Sequence, residues 1–209
     1  MNRHEKQRRK GADRNTPYII HPITVADILI SAGVTDPEII AGALLHDTIE
    51  DTNTTREELV REFGERVARI VMDCSDDRTK HWIERKKEQI RHAPTLPDDS
   101  KLVKSADKIA NVEDLVFNQT PWGVERTQGY ITWAAAVYEG LRGVIPALDA
   151  RFDAALTHDF HSSTAELHPA IPKDRTKEQI LDEYLQDHHN DAYSSGTSCS
   201  VEIDLGGKK

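Results

Sequence analysis

An all-α fold, one helical domain followed by an acidic and largely irregular tail, is what this 209-residue sequence predicts. Three observations carry that expectation. Apolar residues recur at spacings of three and four in run after run, as in Leu102, Val103, Ala106, Ile109, Ala110 and Leu115. No alternating stretch long enough for a strand occurs in residues 1–158, and no internal repeat is present. The breaks between runs are Pro, Gly and paired Asp, placed where helices start and stop. The hydrophobic content of 37% is low for this length but sufficient for one core. Composition changes at about residue 161. Residues 159–209 hold ten acidic and five basic side chains, −5 of the total −9, so residues 1–160 read as the folded domain. Residues 161–209 read as a polar, mostly flexible tail dispensable for activity, with one short helix expected at 176–186.

Taken in order, residues 3–10 can form one or two basic turns before Gly11. Pro22 suits the first position of a helix, which makes His21 a neighbour of its cap, and Ile23, Val25, Ala26, Ile28, Leu29 and Ile30 continue it to Gly33. Asp36-Pro37 starts the next helix as N-cap and first residue. That helix should persist through Ala43-Leu44-Leu45-His46-Asp47-Thr48-Ile49-Glu50-Asp51, stacking Glu50 beside His46 and Asp51 beside Asp47. Thr54-x-x-Glu57 reads as a capping box for a helix to Gly64, and Val67, Ile70 and Val71 continue towards Cys74. After Asp76-Asp77, Trp82, Ile83 and Ile90 mark a charged helix. Asp98-Asp99 can cap the long helix of Leu102 to Leu115, a further one begins near Thr120-Pro121 and carries Arg126 and Tyr130, and Leu148, Phe152 and Leu156 mark the last of the domain. Thr176-x-x-Gln179 opens the short helix of the tail.

The run around His46 carries the chemistry. With 10 His and 20 Asp, chance supplies about one His-Asp pair, and the chain has two. His158-Asp159 lies where the apolar pattern ends and no acidic pair follows it, whereas His46-Asp47 is fused to an apolar helix and followed by Glu50-Asp51. Three carboxylates within one or two turns repel one another, and a divalent cation among them resolves the conflict. The competing reading is a polar helix end with solvated acids. Asp107 is a second anomaly, an acid at the edge of a packed stripe. Lys104 and Asn111, one turn before and after it, could partner it in place of a metal.

Cys74 and Cys199 are too few for a disulfide framework or a cysteine zinc site, so a reducing compartment is expected. The N-terminus has no apolar segment like a signal peptide, and no run approaches a membrane span. A cytoplasmic protein follows, with neither membrane nor nucleic acid as partner. Residues 1–158 carry only about −4, and their acidity says little about the ligand. Residues 1–14 form a local positive patch, with Arg3, Lys6, Arg8, Arg9, Lys10 and Arg14 against Glu5 and Asp13.

The order His21, His46-Asp47, Glu50-Asp51, then Asp107 within Leu102-Val103-Lys104-Ser105-Ala106-Asp107-Lys108-Ile109-Ala110-Asn111, resembles the HD phosphohydrolases, and within them the hydrolases of the RelA/SpoT type and the metazoan SpoT homologues. Supporting phrases are Gly-x-Asp-x-Asn-Thr-Pro-Tyr-Ile-Ile-His-Pro at 11–22, Ala-Leu-Leu-His-Asp-Thr-Ile-Glu-Asp-Thr at 43–52 and Glu-Arg-Lys at 84–86. The likeness covers roughly residues 3–158. It implies His21, His46, Asp47 and Asp107 as ligands of one metal ion, usually Mn²⁺, although two imidazoles with two carboxylates also suit Fe²⁺ or Zn²⁺. It implies Glu50 and Asp51 as the pair that positions and activates the attacking water, Asn111 and Tyr130 near the nucleotide, and Arg9 and Lys10 at phosphates. Arg126, one turn before Tyr130, is a further candidate.

The implied reaction removes pyrophosphate from the 3′ position of guanosine tetraphosphate or pentaphosphate. The same site could instead remove the ribose phosphate of NADPH, and a nucleotide sensor without turnover is the non-enzymatic alternative, which would predict loss of Glu50-Asp51 or of a ligand. Two departures stand out. The chain begins one to two turns later than relatives with a longer first helix, and Trp82 stands where relatives carry a lysine after the Asp-Asp pair, leaving Lys80 or Arg78 to substitute.

Overall fold

The computed structural model describes residues 7–8, 16–118, 122–157 and 176–187. Among them the regular structure is helical: α1 (Ile20–Ser31), α2 (Pro37–Leu45), α3 (Thr48–Asp51), α4 (Arg56–Phe63), α5 (Glu65–Cys74), α6 (Trp82–His92), α7 (Asp98–Phe117), α8 (Val124–Glu139), α9 (Pro146–Thr157) and α10 (Lys177–Asp187), with a 3₁₀ turn at Ala93–Thr95. The only pairing of extended backbone among the described residues is one antiparallel bridge between Arg8 and Pro17. Arg9 and Lys10, expected at phosphates, lie outside the described residues, as does most of the proposed tail.

α7 is the axis of the fold. Val103, Ala106, Ile109 and Val112 are fully buried along it, and α1, α2, α5, α8 and α9 pack around it. The main core joins Val25, Ile28 and Leu29 of α1 with these residues and with Trp133, Val137, Tyr138 and Phe152. The Tyr138 and Phe152 rings stack at 3.8 Å between centroids. A smaller cluster of Leu59, Val67, Ala68 and Val71 lies between α4 and α5. Gly42 lets α2 approach α5, because a Cβ there would stand 2.7 Å from Ile70 Cγ2.

Several boundaries differ from those expected. α1 starts at Ile20, so His21 and Pro22 both lie in its first turn, where a missing N–H costs nothing. Asp36 caps α2 as expected, accepting from the Glu38 N–H at 2.9 Å. The helix does not persist through the central run: α2 ends at Leu45 and a turn at His46-Asp47 precedes the short α3. Thr55, one residue later than expected, caps α4 through the Glu58 N–H. Gly64 at φ +89° separates α4 from α5. α7 has no side-chain cap, and Asp98 and Asp99 form its acidic first turn. Residues 119–121 lie outside the described set, and α8 is described from Val124.

The largest correction concerns the tail. The expected helix forms as α10, with Thr176 and Gln179 exchanging the two bonds of a capping box. It is no appendage: Ile180, Tyr184 and Leu185 are buried, and α10 lies against α8 and touches α6. Gly129 of α8 is where it seats, because a Cβ there would come within 2.5 Å of the Tyr184 ring. The apolar stripe of this helix found a partner face, so residue 160 is not the edge of the packed unit.

Candidate active site

The break after Leu45 is what forms the site. It lets the His46 ring turn back on α2, where Nδ1 donates to the Ala43 carbonyl at 2.8 Å. That bond fixes the tautomer and leaves Nε2 as a lone pair aimed inward. Nε2 lies 3.1 Å from Asp47 Oδ2 and 3.7 Å from Asp107 Oδ1, yet it has no hydrogen-bond partner. From the first turn of α1, His21 brings Nε2 to 3.1 Å from Asp107 Oδ1 and 3.6 Å from Asp47 Oδ2. The two imidazoles stand edge to face, 5.2 Å apart, and each is 3% exposed. One donor atom each from His21, His46 and Asp107 lies within 4.8 Å of the others. Asp47 stands at the edge of that trio and accepts a very short hydrogen bond from the Tyr18 hydroxyl.

Carboxylate oxygens facing an imidazole lone pair repel it, and the group is stable if a cation sits between them or if the ring takes a proton. The titration behaviour expresses the same conflict. Burial would lower the His46 pKa, but the Asp47 and Asp107 charges raise it well above the usual range. Asp47 and Asp107 are held far below theirs despite burial, Asp47 by the two histidines and Asp107 by Lys108 and the histidines. This donor set, two imidazoles and one or two carboxylates of fixed orientation, fits a divalent cation.

Asp107 takes neither role that a salt bridge to Lys104 would give it. Lys104 is buried and donates to the Cys74 carbonyl at 3.3 Å. Asn111 does bond Asp107, its amide 2.6 Å from Oδ1, and Lys108, not noticed in the sequence, donates to Oδ2 at 3.0 Å.

Asp51 stays one helical turn beyond Asp47, its N–H donating to the Asp47 carbonyl at 2.9 Å, whereas the Glu50 side chain turns to the 76–78 segment. Glu50 Oε1 accepts from the Asp76 N–H at 2.6 Å, and Arg78 donates to its backbone carbonyl. Burial first, then the Asp76 and Asp47 charges, push its carboxyl up to about 7. Asp51 accepts from Gln7 Nε2 at 2.7 Å. Lys80 is engaged by Glu88 at 2.5 Å, and Arg78 is the basic residue that the 76–82 turn brings to Glu50.

Beyond Lys108 an aromatic row lines α8. Trp122, Tyr130 and Trp133 contact in sequence at 5.7 and 5.2 Å, and the Arg126 guanidinium lies 4.2 Å from the Trp122 ring. Asn111 bonds Asp107, and Tyr130 is linked to the same carboxylate through Trp133 and Lys108. Lys86, which the sequence offers only within Glu84-Arg85-Lys86, lies over the Trp133 ring at 3.2 Å. Tyr18, missed as a site residue, lay in the phrase that ends at His21.

Residues 2–141 match the HD-domain family model. The chain belongs to the HD-domain family. Among curated proteins this HD domain is similar to the guanosine-3′,5′-bis(diphosphate) 3′-pyrophosphohydrolase MESH1 of Xenopus tropicalis, 47% identical over 154 residues that cover 72% of this chain and 85% of that protein. The human MESH1 is 46% identical over 161 residues, 76% of this chain and 87% of that one. A solved structure described as a metazoan orthologue of SpoT that hydrolyses ppGpp superposes with a TM-score of 0.71 at 38% identity, covering 74% of this chain and 87% of the other.

Proposed function

We propose that this protein is a metal-dependent hydrolase that removes the 3′-pyrophosphate of guanosine tetraphosphate or pentaphosphate, giving GDP or GTP. The observation that carries it is the orientation of His46, whose Nδ1 is spent on Ala43 so that Nε2 faces Asp47 and Asp107 beside His21. The activity carried by the similar MESH1 proteins and the SpoT orthologue supplies the substrate. In this reading His21, His46, Asp47 and Asp107 hold one divalent cation, Mn²⁺ by the family resemblance. When bound, such a cation acidifies a water and neutralises phosphoryl charge.

The chain's own residues do the rest. Tyr18 and Asn111 hold Asp47 and Asp107 in place through their hydrogen bonds. Glu50, its carboxyl lifted to about 7 and its Oε1 fixed by the Asp76 N–H, is the group poised to take a proton from the attacking water near neutral pH. Asp51, braced by Gln7, orients that water. Tyr130 and Arg126 present an aromatic and a cationic face for the nucleotide, and the family resemblance assigns Arg9 and Lys10 to phosphates.

No helix among the described residues is long and apolar enough to cross a membrane. A cytoplasmic location and a small nucleotide as ligand belong to the same reading. The test is to offer the purified protein with Mn²⁺ guanosine tetraphosphate and NADPH in parallel and to separate the products. Pyrophosphate and GDP from the first, faster than phosphate from the second, is the expected result. Phosphate release from NADPH as the faster reaction would move the assignment to the ribose phosphatase.

A further inference from the structure

Buried ammonium groups are costly unless an anion or a set of acceptors meets them. Lys108 satisfies that requirement through Asp107. Lys86, half-buried on α6, does not: among the described residues no carboxylate stands within ion-pair distance of its Nζ. What surrounds it instead is the Trp133 ring at 3.2 Å and the Tyr130 ring at 5.1 Å. Lys108 shares the same surface, its Nζ 4.8 Å from the Trp133 ring. Arg85, the adjacent residue, has a buried Nε without a partner. Aromatic faces offset part of the cost of a desolvated cation, but two ammonium groups converging on one ring repel each other. The Trp133 indole N–H meanwhile donates to the Lys86 carbonyl at 3.1 Å and holds the ring against α6. Asp76 and Asp107 act on Lys86 only from beyond ion-pair distance, so the two ammonium groups are incompletely neutralised.

We propose that Lys86, with Lys108 beside it over the Trp133 ring, is the seat of the 5′-diphosphate of the nucleotide. The inference rests on the substrate reading above. Lys108 bridges Asp107 and the aromatic row, whereas Lys86 makes no ion pair with Asp107 and meets the Trp133 and Tyr130 rings. With the 3′ group assigned to His21, His46 and Asp107, this cationic surface is left for the phosphates at the other end of the nucleotide. A compact ammonium is a common partner of phosphate oxygens, and an anion there would relieve the repulsion between the two lysines. Burial, and after it the charge of Lys108, lowers the Lys86 pKa to about 7, consistent with a seat that is short of negative charge until a ligand supplies it.

The experiment measures GDP and guanosine binding to the full-length, Mn²⁺-loaded protein by calorimetry, comparing wild type, Lys86→Met and Lys86→Arg. The methionine keeps an apolar stem against Trp133 and removes only the charge. GDP should bind the Met variant about tenfold or more weakly, the scale of a lost charge-assisted contact. Guanosine should bind both alike, and the Arg variant should recover most of the GDP affinity. Equal GDP affinity in wild type and Lys86→Met would overturn the seat, and so would an equal loss for guanosine, which would mean that the wall itself had shifted. Because GDP binding needs no turnover, absence of hydrolysis would sink the substrate reading while leaving this result to stand or fall separately.

Discussion

Asp99 and Asp107 lie on one helix, two turns apart, and their surroundings differ in kind. Asp99 belongs to a knot that ties the starts of α2 and α7 to α5. Arg66 reaches Asp36 at 2.7 Å, Glu38 at 2.9 Å and Asp99 at 3.1 Å, while Arg69 pairs with Asp99 and, at 3.2 Å, with Asp73. Each acid meets a guanidinium, and most of the knot is open to solvent. Asp107 is mostly shielded from solvent between the two imidazoles, with one lysine on its far oxygen. The first arrangement is complete as it stands. The second calls for a cation, and that difference separates an acid that holds the fold from one that serves chemistry.

The strongest way to break the comparison is substitution on both sides of it. Asp107→Asn should abolish hydrolysis, whereas Asp99→Asn should leave turnover near wild type; comparable losses in the two would erase the distinction. Next in size, Glu50→Gln should lower turnover by about 10²–10⁴ while bound metal is retained, the usual scale for losing a proton-transfer group. Turnover equal to wild type would transfer the base role to Asp51.

Packing without charge sharpens the contrast. Tyr184→Ala removes a buried ring seated on Gly129, next to Tyr130, and should cost about 3 kcal/mol in thermal or denaturant unfolding, by analogy with other buried aromatics. An unfolding midpoint like that of wild type would return α10 to the status of an appendage. Asp99→Asn should cost less, about 1 kcal/mol, because its arginine partners are partly solvated.

The pH dependence of the metal-free protein should run in opposite senses at the two places. Asp99 is held below the ordinary carboxylate range by Arg69 and Arg66 against the effect of burial, so its contribution is present above the unfolded pKa and is lost as pH falls through the folded one. Glu50 is raised to about 7, so the folded state binds its proton more tightly, and its contribution is full below about 4.5 and lost as pH rises to about 7. Glu50→Gln should therefore stabilise the metal-free protein at pH 8 relative to wild type and change little at pH 4. Unfolding curves at the two pH values decide it, and a destabilised Glu50→Gln at pH 8 would contradict the assignment.

Much of this was legible in the residues because it is local. Apolar spacing marked most of the helices, Asp36-Pro37 marked the start of α2, and His46-Asp47 with Glu50-Asp51 marked the chemistry. What was not legible depends on contacts distant in sequence. The break after Leu45 goes with contacts that include Asp47 meeting Tyr18, 29 residues away. Lys108 and Lys86 read as ordinary charges on helices until α6, α7 and α8 packed around Trp133. The stripe of α10 was visible, but its partner was a glycine face on α8, and a missing side chain leaves no mark in a periodicity. Helical spacing offered Lys104 and Asn111 alike as partners for Asp107; Asn111 takes that place, whereas Lys104 turns to the Cys74 carbonyl.

Metal content tests the central claim most directly. Elemental analysis of protein purified from Mn²⁺-supplemented medium should find one divalent ion per chain in wild type, one in Asp99→Asn and none in Asp107→Ala. Metal retained at wild-type stoichiometry in Asp107→Ala would show that the buried acids and imidazoles do not hold the ion, and the account of the site would fail.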